Sequence, residues 1–323
     1  MNATSPLEGI KVIEMTEALA GPYSAMLLGD LGAEVIKIER PEIGDQSRGW
    51  GPPFLEGESA YFLSANRNKK SLELDIKSKK DLELFYNLIK NSDIFITNNP
   101  KMESLRKNKI DYKVLKNINP RLIYVAISGY GHTGPKAGRP GYDILAQGEA
   151  GIMSLTGNKD QGPSRYPSAM ADISAGIYAT IGILSSLYER DCNKRELGKF
   201  IDIALVDVQT TWLANIGSSY FMDNKRPIKM GNAHPTICPY QPLKARDKML
   251  IIAVGTERLW QKLCEILKIT EDIMIDEKFN TNARRNQNRK ELITILEIIL
   301  AKEDANYWID KFISENIPAG PIN

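Results

Sequence analysis

Short β-branched runs alternate with amphipathic stretches along the N-terminal half of the chain, the rhythm that predicts parallel strands covered by crossover helices. Five strands are expected: Ile10–Met15 (IKVIEM), Glu34–Glu39 (EVIKIE), Asp93–Thr97 (DIFIT), Leu122–Ser128 (LIYVAIS) and Phe200–Leu205 (FIDIAL). Helical spacing marks Pro22–Leu31, Lys79–Lys90 and Tyr112–Asn117, then Tyr142–Leu155, Ile173–Glu189 and Val206–Met222. The pattern reads as α/β: a Rossmann-like, doubly wound parallel sheet domain with a linker helix over residues 1–222. Beyond Met222 the texture changes to a polar turn cluster at Asp223–Pro227 and a proline-rich stretch from Gly231 to Pro242. A smaller α+β domain is expected over residues 223–323, with a strand at Met249–Val254 and helices at Glu257–Leu267, Arg289–Ala301 and Asp304–Glu315.

A length of 323 residues suits two domains and a sizeable core, and 42% apolar with 25% charged residues is the balance of a soluble globular chain. Forty-two basic against forty acidic residues leave a net charge of +2, which gives a nucleic-acid partner no electrostatic footing. Cys192, Cys238 and Cys264 are far apart and form no zinc-like or disulfide spacing, so no metal is expected. The N-terminus has no leader pattern, and the apolar stretch Ile173–Tyr188 is interrupted by serines and a threonine. A cytoplasmic protein without a membrane partner is the expectation.

A doubly wound sheet raises the question of dinucleotides. The segment after the first strand, Thr16-Glu-Ala-Leu-Ala-Gly-Pro-Tyr-Ser24, has one glycine where that fingerprint needs three, which argues against NAD or FAD. Neither a GxxxxGK[ST] phosphate loop nor a GxSxG elbow is present. Arg40, Lys77 and Arg106 sit near the ends of expected elements, where they either converge on a polyphosphate or remain solvated surface charges. His132, in the glycine-rich segment Gly129–Pro135, and His234 are the only histidines, which restricts imidazole base chemistry to two positions. Asp172 opens the Ile173–Glu189 pattern: it is either a helix cap or a carboxylate held ready for chemistry at a helix N-terminus.

A set of segments, in order, carries a resemblance: Leu7–Glu14, Ala20-Gly-Pro22, Leu31–Pro41, Asn66–Asp75, Gly129-Tyr-Gly131, Arg139–Asp143, Ala171-Asp172, Gly231–Pro235, Pro239–Gln241 and Ile317–Pro321. Over nearly the whole chain the sequence resembles the class III coenzyme A transferases, the family of formyl-CoA transferase, the carnitine and bile-acid CoA transferases and the α-methylacyl-CoA racemases. The resemblance implies that Asp172 is the nucleophile, passing through an aspartyl-acyl anhydride and an aspartyl-CoA thioester. It implies CoA-binding roles for Ala18 and Ala20 near the pantetheine and for Arg40, Lys77 and Arg106 at the phosphates. Leu74, Asp75 and Asn98 fall at the adenosine end, and Tyr142 is grouped with the same CoA site.

CoA and acyl-CoA are implied as substrates, with no permanently bound cofactor, and the acceptor as a small carboxylic acid. A dicarboxylate is preferred because the Gly231–Pro235 and Pro239–Gln241 segments look most like dicarboxylate-using relatives. The resemblance further implies an interlocked homodimer, a water-excluding loop at Gly231–His234, and a C-terminal return segment that this chain lacks. Two rival readings are a racemase-type enzyme and a truncated relative that binds CoA without turnover. Tyr142 stands where the racemase branch carries its histidine, and a tyrosine with an ordinary pKa of about 10 is a poor base at neutral pH.

Overall fold

The computed structural model describes residues 5–192, 196–269, 273 and 276–323. Its first sheet contains β1 (Lys11–Met15) and β2 (Glu34–Glu39), and a small hairpin of β3 (Phe54–Leu55) and β4 (Glu58–Ser59) precedes β5 (Lys69–Glu73). The sheet is completed by β6 (Ile94–Thr97), β7 (Ile123–Ser128) and β8 (Phe200–Ala204). These six strands run parallel in the order β5-β2-β1-β6-β7-β8. Counted along the chain that is 3-2-1-4-5-6, the doubly wound order, with the winding reversing between β1 and β6.

Strand alternation builds the two faces. Val12, Ile94, Ile96, Ile123 and Val125 point into one apolar cluster, while Ile13, Phe95, Tyr124 and Ala126 point into the other. Burial on both faces is why the middle strands read as unbroken apolar runs. The sixth strand, β5, was not expected. Its sequence, KKSLE, is mostly polar because it forms an edge paired only with β2.

Two expected helices are broken. The Tyr142–Leu155 pattern becomes Asp143–Glu149 and Ile152–Leu155, separated at Gly151, whose φ of +89° a side chain would disfavour. The Val206–Met222 pattern becomes Leu205–Thr211 and Ala214–Asp223. The helix expected from Ile173 instead spans Met170–Cys192, 23 residues, long and apolar enough to cross a bilayer on those criteria alone. It packs on the Ala20–Asp30 helix through Ala171, Ala175 and Ala179. At Gly176 an added Cβ would lie 2.8 Å from the Ala20 carbonyl oxygen, so glycine sets how closely the two helices meet.

The chain divides into two compact units: residues up to Ser154 with Arg165–Pro227, and Leu155–Ser164 with Ile228–Asn323. The division lies five residues after the boundary read at Met222, and the second unit also takes in Leu155–Ser164. That unit holds an antiparallel sheet, β9 (Tyr240–Lys244), β10 (Met249–Ala253) and β11 (Ala319–Pro321), in the order β11-β10-β9. Pro242 had marked its stretch as a turn. The structure tolerates it because β9 is an edge strand. The helices Glu257–Leu267, Arg289–Leu300 and Ala305–Ser314 supply the second core, including Trp260, Leu263, Leu296 and Phe312.

Candidate active site

A cleft of about 460 Å3 opens in the first unit where β1, β2, β6 and β7 end, at the point where the winding reverses. Crevices of this kind at strand C-termini are where open α/β sheets take ligands. Ala18, Ala20, Arg40, Leu74, Asn98, Tyr142 and Asp172 all line it. Asp75, Lys77 and Arg106, assigned to the same site from the sequence, are not in its wall. The Asp75 carboxylate accepts the Lys77 N–H at 3.0 Å, closing the turn before the Lys79–Lys90 helix. Lys77 and Arg106 are exposed, the latter in the last turn of the Met102–Lys107 helix.

Beneath the cleft lies a buried ionic cluster that sequence reasoning missed. Glu14 and Lys37 are register partners on β1 and β2, and both are buried. The Lys37 ammonium lies 3.0 Å from Glu14, 3.0 Å from Asp45 and 2.8 Å from the Thr16 carbonyl. Lys69 reaches the other oxygen of Glu14 at 2.8 Å. Burial alone would lower the pKa of Lys37, but the two carboxylates outweigh it and raise it, whereas burial pushes Lys69 down to about 8. Asp45 also accepts the N–H of Ala18, whose φ of +68° is left-handed. The cluster thus holds the Thr16–Leu19 turn in a strained shape beside the ligand space. A charged residue inside each of the apolar runs KVIEM and EVIKIE was the available signal.

Asp172 stands in the first turn of the Met170–Cys192 helix, not at its cap. The orphan N–H of Ala171 is bound instead by Asp143 at 2.8 Å, and Asp143 is itself steadied by the Gln147 amide at 2.7 Å. Among the described residues the Asp172 carboxylate has no hydrogen-bond partner, while it lines the cleft. Burial, with repulsion from Asp143, pushes its pKa up to about 7. A capping role would have given it a backbone donor and a lowered value. Burial together with Asp172, Asp143 and Asp45 also pushes the Tyr61 phenol up to about 12, so a protonated hydroxyl belongs to this neighbourhood. No sequence motif had pointed to Tyr61.

The rest of the rim is tied down by polar contacts. Asn98 donates to the Glu17 carbonyl at 2.7 Å and accepts the Glu17 N–H at 3.2 Å, so its amide positions a loop. His132 meets Asp202 through Nδ1 at 2.8 Å and the Asn99 carbonyl through Nε2 at 3.1 Å. Both partners are acceptors, which suits a doubly protonated ring; burial opposes that charge, and Asp202 and Asn99 outweigh it to raise the pKa. This histidine clamps the loops after β6 and β7 and has no free nitrogen for base chemistry. The loop it anchors starts and ends close together, because a Cβ on Gly129 would lie 2.5 Å from the Gly141 Cα. His234 and Gly231 belong to the second unit, where the Gly231 N–H donates to the Gly157 carbonyl at 3.1 Å. Among the described residues no group of three His, Cys, Asp or Glu side chains is placed to hold a metal ion.

Comparison with known proteins agrees with this geometry. The family model of CoA-transferase family III matches residues 7–323. The chain is 40% identical to succinyl-CoA:glutarate CoA-transferase of Mus musculus, over 100% of its own length and 73% of that protein. It is also 40% identical to succinate–glutarate CoA-transferase of Agrobacterium fabrum, over 100% of its own length and 81% of that protein. A solved structure of a CAIB/BAIF family protein from Brucella suis matches with a TM-score of 0.85 at 43% identity, covering 99% of this chain and 85% of that one. With its doubly wound sheet and its cleft at the reversal point, the chain belongs to CoA-transferase family III, and CoA transfer is its chemistry.

Proposed function

We propose that this CoA-transferase moves CoA from succinyl-CoA to a small dicarboxylate such as glutarate, with Asp172 as the nucleophile. The observation that carries the mechanism is a cleft-lining carboxylate with no hydrogen-bond partner among the described residues. Its carboxylate attacks the thioester carbonyl and expels CoA as a thiolate, leaving a mixed anhydride. The thiolate attacks the aspartyl carbonyl, releasing the donor acid and forming an aspartyl thioester. The acceptor carboxylate then expels the thiolate again, and attack on the acceptor carbonyl yields the new acyl-CoA and restores Asp172. The names of the relatives favour the succinyl and glutaryl pair. The exposed Lys77 and Arg106 remain proposed phosphate partners outside the cleft wall, with Arg40 within it.

The racemase reading loses its base, since Tyr142 occupies the histidine position and His132 is bound on both nitrogens. Succinyl-CoA with a panel of carboxylic acids, followed by mass spectrometry, should show glutaryl-CoA formation. In heavy water a 2-methylacyl-CoA should gain no deuterium. Rapid exchange without transfer would reverse the ranking.

A second copy of the chain is proposed as the cover for an exposed apolar helix face. Phe221 and Met222 are 82% and 87% exposed, and the Ala214–Asp223 helix that carries them buries none of its residues. Sedimentation at micromolar concentration should give a dimer, and Phe221→Asp should favour the monomer. A wild-type monomer with full activity would end the proposal.

A further inference from the structure

Arg40 is the only arginine or lysine in the cleft wall among the described residues, against four carboxylates, Glu17, Glu39, Asp45 and Asp172. Glu39 is occupied by Arg48 at 2.6 Å, and Asp45 by Lys37 at 3.0 Å. Arg40 is occupied as well: its Nη2 lies 2.9 Å from Glu17 Oε1. An incoming anion therefore meets a single cation that already has a partner. Glu17 cannot retreat with its backbone, because Asn98 grips both its N–H and its carbonyl and Asp45 holds the next N–H. Only its side chain can turn, and where it now stands Asp45 and Lys37 both act on it.

We propose that Glu17 is a resident anion on Arg40, displaced when a phosphate of CoA takes the guanidinium, and that the displaced carboxylate binds a proton. This rests on the reading of the cleft as a CoA site. The influences on Glu17 pull both ways, and those that favour its neutral form prevail. Burial already raises its pKa, Asp45 adds to the rise, and Arg40 and Lys37 oppose it. Displacement removes the stronger opponent and brings a negative phosphate nearby, so both changes favour the neutral acid. Lys37 cannot replace Arg40, since its ammonium is committed to Glu14, Asp45 and the Thr16 carbonyl. Proton uptake would thus be built into CoA binding, and affinity would weaken as pH rises.

The test is titration calorimetry in buffers of different ionisation enthalpy, repeated across a range of pH from acid to alkaline. Asp172→Asn is the background, because it silences the other raised carboxyl of the cleft and prevents turnover. CoA, pantetheine (which lacks phosphate) and glutarate are titrated into Asp172→Asn with and without Glu17→Gln, and Glu17→Ala serves as a second variant. The protein retaining Glu17 should take up more protons with CoA than the Gln protein, by up to one per site. Pantetheine and glutarate should give no difference. At the alkaline end the Gln protein should bind CoA about two- to fivefold tighter, the range of a partly exposed ion pair, and the gap should close towards the acid end. Equal proton uptake and equal CoA affinity would overturn the inference while leaving the CoA site standing. A proton difference with glutarate instead of CoA would assign Arg40 to the acceptor and overturn it too. Absence of CoA binding in every protein would overturn the CoA reading and the inference together.

Discussion

Replacing Asp172 by asparagine should abolish transfer, on the order of a 10⁴-fold loss or more, as expected when a covalent nucleophile is removed. The fold should be unharmed, because Asp143, not Asp172, binds the first-turn N–H of that helix. Linkage sharpens the contrast. The folded pKa of Asp172 is raised to about 7, first by burial and then by Asp143, so the native state holds an extra proton between that value and the ordinary one. Stability contributed by this group therefore falls as pH rises through that window, and asparagine escapes the loss. Above neutral pH the variant should be at least as stable as the wild type while inactive. In the wild type, kcat/KM should rise with pH through about 7 as the carboxylate ionises. Asp143→Asn should move that rise to lower pH, since it removes the repulsion and keeps a cap acceptor. After incubation with an acyl-CoA donor, a hydroxylamine-sensitive adduct should map to the peptide containing Asp172. Substantial activity in Asp172→Asn, or an adduct elsewhere, would end the mechanism.

The second large effect concerns stability. Lys37→Met should cost about 3–5 kcal/mol, the usual result of removing one partner from a buried ion pair. Among the described residues Asp45 would lose the only cation that its Oδ2 meets, and Glu14 would keep Lys69 alone. For a unit of this size that corresponds to a fall in melting temperature of roughly 6–20 °C. CoA binding should weaken as well, because the Thr16 carbonyl and, through Asp45, the Ala18 N–H lose their anchors. Differential scanning calorimetry with CoA titration checks both. A shift below about 1 kcal/mol would show that the cluster relaxes without loss, as some buried ion pairs do when replaced by apolar groups.

Strands with both faces buried were legible because almost every residue along them is apolar, as in Ile94–Thr97 and Ile123–Ser128. The edge strand Lys69–Glu73 was not, since with one neighbour most of its residues are exposed and polar, and its buried Lys69 is charged rather than apolar. The start of the Met170 helix was misplaced for a related reason. Its cap is a carboxylate from another helix, 28 residues earlier, which no local pattern announces. The breaks at Gly151 and near Trp212 were likewise hidden inside continuous helical spacing.

By itself the sequence determined the α/β class, the position of the sheet's middle strands and the family resemblance, which follow from local periodicity and from motifs that stay together in the chain. The grouping of Asp172, Arg40, Leu74 and Asn98 came only through that resemblance, and the structure lines one cleft with all four. Only the tertiary structure decided what each residue is free to do. Asn98 became a clamp on Glu17, His132 a bridge between two loops, and Arg40 an arginine already holding a carboxylate. Asp75, Lys77 and Arg106 fell outside the cleft, while Asp143, Glu17 and the Glu14–Lys37–Asp45 cluster entered the account. The physical reason is that hydrogen bonds, ion pairs and the pKa shifts they cause depend on distance in space. Parallel β-strands bring together residues that the chain holds tens of positions apart.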